Sequence, residues 1–180
     1  MSLDQSGNLY LIGPMGSGKT TIGRQLAKIL ELPFYDSDHE IISQTGVDIS
    51  TIFAYEGEAG FRKREQKTIE HLTQLKNIVL STGGGAVLDP ANCELLCKNG
   101  FVVYLRCSVH HQLERAHKDP NRPLLDTEDP RKRLQDLMLV REPLYRACAH
   151  FSIDTGSYSS RSAVKKILCA FHKHYENTVH

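Results

Sequence analysis

The sequence predicts an α/β fold in which helices cover both faces of a doubly wound parallel sheet. Short apolar runs alternate with segments of helical periodicity along the chain, a pattern typical of βαβ units. The apolar runs are continuous, as in strands that are buried on both faces. A glycine-rich segment that ends in Lys19-Thr20 follows the first run, and this order of strand, loop and helix is typical of nucleotide-binding α/β proteins.

The first predicted strand, residues 8–12, leads into a phosphate-binding loop at residues 13–20. The loop fits the pattern G-x-x-x-x-G-K-[ST], in which backbone N–H groups and the start of the next helix surround an anion. Lys19 is predicted to reach the β and γ phosphates of a nucleotide, and Thr20 to ligate Mg²⁺. The alternative is a chance glycine-rich turn, and the predicted strand and helix on either side argue against it.

The second predicted strand, residues 32–35, ends at two carboxylates, Asp36 and Asp38. Side chains two positions apart in an extended chain point to the same side. Both carboxylates are therefore expected to face one site at the carboxyl edge of the sheet, where open α/β sheets bind ligands. Asp38 alone has a simpler interpretation, as the cap of a helix that begins at His39.

The other elements follow from periodicity, capping residues and glycine or proline breaks. They are a helix 39–44, a short helix capped by Asp48 or Ser50, a helix 58–75, a strand 78–82, a helix 91–98, a strand 101–105, a helix from Ser108 to about His117, a helix 131–147, a strand 151–153 and a helix 161–175. Pro143 is expected to end or kink the helix that contains it.

Two irregular segments are predicted to serve the site. Gly83-Gly84-Gly85 follows a strand, and its N–H groups are placed to bind a substrate hydroxyl or the moving phosphoryl group; a flexible turn is the alternative. The preceding Ser81-Thr82 leaves no Walker-B aspartate at this strand end. Residues 118–130 contain three prolines and four acidic residues around Arg122, and this composition predicts a mobile loop or lid.

Composition favours one cytoplasmic domain that spans residues 1–180. Lys and Arg total 22 against 21 Asp and Glu, so no global charge attracts nucleic acid or a membrane. We find no apolar stretch of membrane-spanning length and no signal peptide. The five cysteines form no C-x-x-C pair, which predicts reduced, mostly packed thiols and neither a disulfide framework nor a zinc site.

The motifs taken together resemble the shikimate kinase family, over roughly residues 8–156. The residues that carry the resemblance are residues 13–20, Asp36-Ser37-Asp38, Gly57-Glu58-Ala59-Gly60-Phe61-Arg62, Gly83-Gly84-Gly85-Ala86-Val87, Arg122-Pro123-Leu124-Leu125 and Arg141-Glu142-Pro143-Leu144-Tyr145. The phosphate loop alone is common to many NTPases, whereas the joint set is specific.

The resemblance implies a P-loop fold with a five-stranded sheet of order 2-3-1-4-5, a small helical substrate-binding segment at about 36–62 and a lid at about 116–130. It implies transfer of the γ-phosphoryl group of ATP to the 3-hydroxyl of shikimate, giving shikimate 3-phosphate and ADP. This reaction belongs to chorismate and aromatic amino-acid biosynthesis. Mg²⁺ is the implied cofactor, ATP and shikimate are the implied small-molecule partners, and a monomer is the implied state.

The same resemblance assigns roles to individual residues. Asp38, Lys19 and Arg122 are assigned to catalysis, with Arg122 closing from the lid over the β–γ bridge. Thr20 and Asp36 are assigned to the metal, Asp36 through water. Residues assigned to the nucleotide are Gly13, Met15, Gly16, Ser17, Gly18, Lys19, Thr20, Thr21, Arg115 and Arg122. Residues assigned to the hydroxy acid are Asp38, Arg62, Gly83, Gly84, Gly85 and Arg141.

Several of these assignments have simpler structural alternatives. The arginine fork suits a carboxylate, so Arg62 and Arg141 are expected to clamp that of the acid, yet either could instead form a surface ion pair with Glu65 or Glu142. Arg115 is expected to stack on adenine, beside a wall formed by residues 154–157. Two functional alternatives stay open, a kinase for another small acid such as gluconate and a nucleotide-binding regulatory module without turnover.

Overall fold

The computed structural model describes residues 7–116 and 127–177, in which five parallel strands form one sheet of order β2-β3-β1-β4-β5. The strands are β1 (Leu9–Ile12), β2 (Phe34–Asp36), β3 (Val79–Ser81), β4 (Phe101–Arg106) and β5 (Phe151–Asp154). The helices are α1 (Lys19–Leu30), α2 (Ser37–Thr45), α3 (Ile49–Gln74), α4 (Pro90–Asn99), α5 (Val109–Ala116), α6 (Pro130–Cys148) and α7 (Ser160–Glu176). The predicted fold class and strand order are confirmed.

The central strand β1 shows why its apolar run is continuous. Leu9 and Leu11 pack on one face of the sheet, in a core that includes residues of α1 and α7. Tyr10 and Ile12 pack on the other face, in a core that includes residues of α3, α4 and α6. Both faces are therefore covered, as the absence of polar alternation predicts.

The parallel register brings three chain segments together at the carboxyl edge of the sheet. Ser81 at the end of β3 is paired with Leu11 of β1 on one side and with Asp36 of β2 on the other. The loops that leave these strands therefore begin next to one another. Beside them, α2 and the start of α3 form a small subdomain with its own core of Ile41, Ile52 and Phe61.

The predicted break between two helices near residue 57 lies inside α3. Asp48 caps the first segment, where its carboxylate accepts from the Thr51 N–H at 2.7 Å. Gly57 then takes φ 69°, ψ −180° and interrupts the helical backbone before the longer segment begins. A residue with a side chain rarely adopts this φ, so glycine defines the angle between the two segments.

Pro143 does not end its helix, because α6 continues through it to Cys148. The proline removes one backbone hydrogen bond to the carbonyl four residues earlier, that of Leu139. Leu139 is 77% exposed, so its carbonyl lies on the side of the helix that solvent can reach. Of the two outcomes that the sequence predicted for Pro143, an end or a kink, the end is wrong.

None of the helices in the two described ranges combines the length and the apolar character that a membrane crossing requires.

Candidate active site

A cleft of about 940 Å³ opens at the carboxyl edge of the sheet, between the phosphate loop, α3, α6 and the segment after β5. Fifteen of the residues predicted for the site line it: Met15, Gly16, Ser17, Gly18, Lys19, Thr20, Thr21, Asp36, Asp38, Arg62, Gly83, Gly84, Gly85, Arg115 and Arg141. Gly13, the first residue of the loop, is buried and does not line the cleft. Arg122 and most of the predicted lid fall outside the described residues.

The phosphate loop takes its shape from three glycines, Gly13, Gly16 and Gly18, whose φ angles are 146°, 71° and 88°. Gly13 also lies so close to β4 that a Cβ there would be 2.5 Å from the carbonyl oxygen of Leu105. The Nζ of Lys19 donates to the carbonyls of Gly13 at 2.7 Å and of Pro14 at 2.8 Å. The ammonium group is thus held over the loop where phosphates bind in this motif.

Asp36 both caps α2 and faces the phosphate loop. Its Oδ1 accepts from the N–H groups of Asp38 and His39, each at 3.1 Å, while its Oδ2 accepts from the hydroxyl of Thr20 at 3.2 Å. The simpler interpretation of Asp38, as the cap of this helix, was therefore wrong. The cap is Asp36. The Oδ1 atom of Asp36 thus fixes the start of α2, and its Oδ2 atom connects α2 to Thr20 of α1.

Asp38 reaches the cleft by a different route from the one expected. It lies in the first turn of α2, so the strand alternation invoked for Asp36 and Asp38 was the wrong geometry. Burial, with the nearby carboxylates of Glu65 and Asp36, raises the pKa of Asp38 to about 6, against the opposing charges of Lys19 and Arg62. The side chain is thus poised to exchange a proton near neutral pH.

Glu65 is buried beneath the site and holds Arg62 in place. The Nη1 of Arg62 donates to Oε1 of Glu65 at 2.7 Å, and its Nη2 donates to the exposed Glu58 at 3.3 Å. Burial raises the pKa of Glu65, and the charges of Arg62 and Arg141 oppose that shift. The arginine thereby reaches the cleft from the far wall with two of its donors fixed by carboxylates.

The three consecutive glycines bring this charged wall close to the backbone. A Cβ on Gly83 would lie 2.8 Å from Oδ1 of Asp38 and 2.9 Å from Oε2 of Glu65, and a Cβ on Gly85 would overlap the guanidinium of Arg62. None of the three has a positive φ angle, so Gly83 and Gly85 are needed for space and not for conformation. The Gly83 N–H, expected to face a ligand, donates to the hydroxyl of Ser37 at 3.0 Å.

Arg141 enters the cleft from α6 and is only 7% exposed. Its Nη1 lies 3.5 Å from the position that a Cβ on Gly84 would take. One turn later, the hydroxyl of Tyr145 donates to the carbonyl of Gly84 at 2.5 Å, which ties α6 to the glycine segment. Sequence patterns gave no sign of this tie, because Tyr145 is otherwise part of the apolar core.

Arg115 joins the phosphate loop to the segment after β5. Its guanidinium donates to the carbonyl of Gly16 and, at 3.4 Å, to the carbonyl of Thr155. Of the predicted wall of residues 154–157, Thr155 lines the cleft, and Tyr158, Ser159 and Ser160 line it as well.

Two aromatic residues of α3 line the cleft although the sequence did not predict them as site residues. Phe53 and Phe61 line the cleft, and their ring centroids are 4.9 Å apart. The guanidinium carbon of Arg62 lies 5.2 Å from the centroid of Phe61. Their spacing along the chain is typical of a buried helix face, so no signal in the sequence distinguishes them from ordinary core residues.

Comparison with known proteins gives a consistent picture. Residues 15–171 match the family model of shikimate kinase. A shikimate kinase of Methylococcus capsulatus is 58% identical over 166 residues, 92% of this chain and 93% of that protein. The structure of shikimate kinase from Acinetobacter baumannii in complex with shikimate superposes with a TM-score of 0.90 at 49% identity, covering 93% of this chain and 94% of that chain.

A gluconokinase from Sinorhizobium meliloti is also similar in structure, with a TM-score of 0.56 at 17% identity over 96% of this chain and 95% of that chain. At that identity the similarity shows the common fold alone.

Proposed function

Because the chain belongs to the shikimate kinase family, we propose that this cleft transfers the γ-phosphoryl group of ATP to the 3-hydroxyl of shikimate. The reaction gives shikimate 3-phosphate and ADP, on the route to chorismate and the aromatic amino acids. One observation carries the proposal. Asp38, Arg62 and Arg141 come from three different helices, yet all line the cleft that the phosphate loop opens into.

The donor half of the site consists of residues 15–21 and Arg115. As the nucleotide enters, Lys19 exchanges its contacts with the loop carbonyls for contacts with the β and γ phosphates. The N–H groups of the loop bind the remaining phosphate oxygens. Arg115 is proposed to lie against the adenine, fixed by the carbonyls of Gly16 and Thr155. The guanidinium plane suits a flat base.

The residues present fit a Mg²⁺ ion. Thr20 and Asp36 place a hydroxyl and a carboxylate oxygen 3.2 Å apart at the cleft, and both are hard oxygen ligands that Mg²⁺ accepts. The described residues hold no cluster of three or more His, Cys, Asp or Glu side chains suited to a metal, so the phosphates would complete the ligand set. When bound, the ion would neutralise charge on the phosphate oxygens.

The acceptor half positions an anionic ring with a free hydroxyl. Arg62 and Arg141 are proposed to hold the carboxylate of shikimate by their guanidinium forks. Asp38 orients the hydroxyl and accepts its proton, a role for which its pKa of about 6 leaves it ionised at neutral pH. Glu65 acts through Arg62, since its Oε1 holds Nη1 of that residue at 2.7 Å.

Arg122, whose position is outside the described residues, keeps the role that the family pattern gives it. A lid arginine that closes over the β–γ bridge adds positive charge and excludes water, so that the sugar-like acid and not water receives the phosphoryl group. We further propose a cytoplasmic monomer of one domain with the small subdomain of residues 36–62.

The experiment that tests this function is ADP release with ATP and a panel of hydroxy acids. Shikimate should give turnover far above the rate without acceptor, and gluconate should not. If gluconate is the better acceptor, the related-kinase alternative is correct. If nucleotide binds but no acid accelerates ADP release, the chain is a regulatory module.

A further inference from the structure

Three cysteines lie together on two helices outside the cleft. Cys93 and Cys97 are one turn apart on α4, and Cys148 is the last residue of α6. The Sγ atoms of Cys97 and Cys148 are 3.6 Å apart, and the Cys97 thiol also donates to the carbonyl of Cys148 at 3.1 Å. The Cys93 thiol donates to the carbonyl of Val87 at 3.4 Å.

The cluster lies towards the opposite edge of the sheet from the cleft. α4 ends at Asn99, directly before β4 begins, and α6 ends at Cys148, shortly before β5 begins. The cleft is at the other end of these strands, where they run out into the loops of the site. Chemistry at these sulfurs would therefore leave the residues proposed for phosphoryl transfer in place.

The two sulfurs are in van der Waals contact. A disulfide places its sulfurs about 2.05 Å apart, so closing the 3.6 Å gap needs an approach of about 1.5 Å. Cys97 is exposed, whereas Cys148 is 4% exposed. One sulfur can thus meet a dissolved oxidant while its partner is shielded from every reagent except its neighbours.

We propose that Cys97 and Cys148 are a redox pair, which a hydroperoxide oxidises to an intramolecular disulfide between α4 and α6.

The proposed chemistry has two balanced steps. The Cys97 sulfur attacks one oxygen of hydrogen peroxide, the O–O bond breaks, and the chain carries a sulfenic acid while water leaves. The Cys148 sulfur then attacks the Cys97 sulfur, the S–O bond breaks, and a second water leaves. The two thiols lose two electrons and two protons, and the peroxide is reduced to two waters.

Cys93 is the third thiol of the cluster, and the Cys148 thiol approaches its backbone carbonyl at 4.0 Å. A hydrogen bond between the Cys148 and Cys93 thiols lowers the pKa of Cys93 and raises that of Cys148, and burial raises the pKa of Cys148 further. Cys93 is therefore the more acidic of these two sulfurs. Its own thiol is turned towards Val87, which leaves Cys97 as the bonding partner.

The test treats the full chain with hydrogen peroxide under native conditions, quenches with an alkylating reagent and maps the peptides by mass. The expected product joins the Cys97 and Cys148 peptides with the loss of two hydrogen atoms, and dithiothreitol reverses it. The cross-link between distant positions should raise Tm by roughly 5–10 °C. Phosphorylation of the acceptor should continue at its former rate.

Three variants make the assignment specific. Cys97→Ser should abolish both the cross-link and the rise in Tm; because Cys97 is exposed, this variant is expected to fold. Cys93→Ser and Cys169→Ser, which remove one thiol of the cluster and one exposed thiol of α7, should retain both. The proposal is overturned if Cys97 is recovered only as sulfinic acid or in dimers between chains, or if the main cross-link joins Cys93 to Cys148.

Discussion

The two halves of the cleft are built in different ways. The phosphate side is one continuous loop, residues 13–20, whose shape comes from glycines in backbone conformations that other residues avoid. The acid side collects Asp38, Arg62 and Arg141 from three helices and packs them against Gly83-Gly84-Gly85. One half is thus encoded locally by backbone, and the other depends on side chains that meet only after folding.

This difference explains what the sequence could predict. The phosphate loop was placed correctly because its strand, loop and helix are contiguous in the sequence. The α/β fold class follows from the alternation of strands and helices, whereas the strand order was implied by the family resemblance and is confirmed by the structure. On the acid side, the expectation that Asp36 and Asp38 share a face by strand alternation was wrong, because Asp36 caps a helix that already contains Asp38.

The remaining features of the acid side depend on contacts between distant segments. Phe53, Phe61 and Tyr145 have the spacing of ordinary core residues, and their contact with the site becomes visible only in three dimensions. The close approach of charges to Gly83 and Gly85 is likewise a property of the folded chain. A run of glycines in the sequence indicates that space is needed, but it does not identify the side chains that occupy that space.

On the phosphate side, a large effect on kcat is expected. Lys19→Ala removes the ammonium group held over the loop, and kcat should fall about 10³-fold because charge on the transferred group is no longer stabilised. Shikimate binding, measured by titration calorimetry, should stay close to that of the unmodified chain. Lys28→Ala, an exposed change on the same helix, is the control. Equal loss of shikimate binding would show that the two halves are not separable.

Two glycine substitutions should separate the role of Asp38 from that of Arg62 on the acid side. Gly83→Ala pushes against the carboxylates of Asp38 and Glu65 and should lower kcat by roughly 10- to 100-fold through loss of the positioned base. Gly85→Ala pushes against the guanidinium of Arg62 and should act mainly on the KM for shikimate. Steady-state kinetics of both variants test this prediction. If the two variants change kcat and the KM for shikimate in the same way, the separate roles of Gly83 and Gly85 are refuted.

A smaller effect is expected from Arg141→Lys. The change keeps the charge and loses the fork, so the KM for shikimate should rise about tenfold while the KM for ATP stays constant. Arg146→Lys is a matched control on the same helix, since Arg146 is exposed and pairs with Glu142. An unchanged KM for shikimate in the Arg141 variant would remove it from the proposed carboxylate clamp.

The smallest effect is expected where the nucleotide base is proposed to lie. Arg115→Ala removes the donor to the carbonyls of Gly16 and Thr155 and should raise the KM for ATP roughly three- to tenfold. The KM for shikimate should not change. His110→Ala, at an exposed position of the same helix, controls for the loss of a side chain. If only the KM for shikimate changes, the assignment of Arg115 to the nucleotide half of the cleft is wrong.

The account rests most directly on Asp38 as the group that takes the acceptor proton, and the pH dependence of kcat/KM for shikimate tests it. Since the pKa of Asp38 is raised to about 6, the unmodified chain should lose activity as the pH falls through 6, when the base becomes protonated. Asp38→Asn should lower kcat/KM about 10²- to 10⁴-fold and remove this acid limb. An Asn variant with a near-normal rate and the same acid limb would contradict the account.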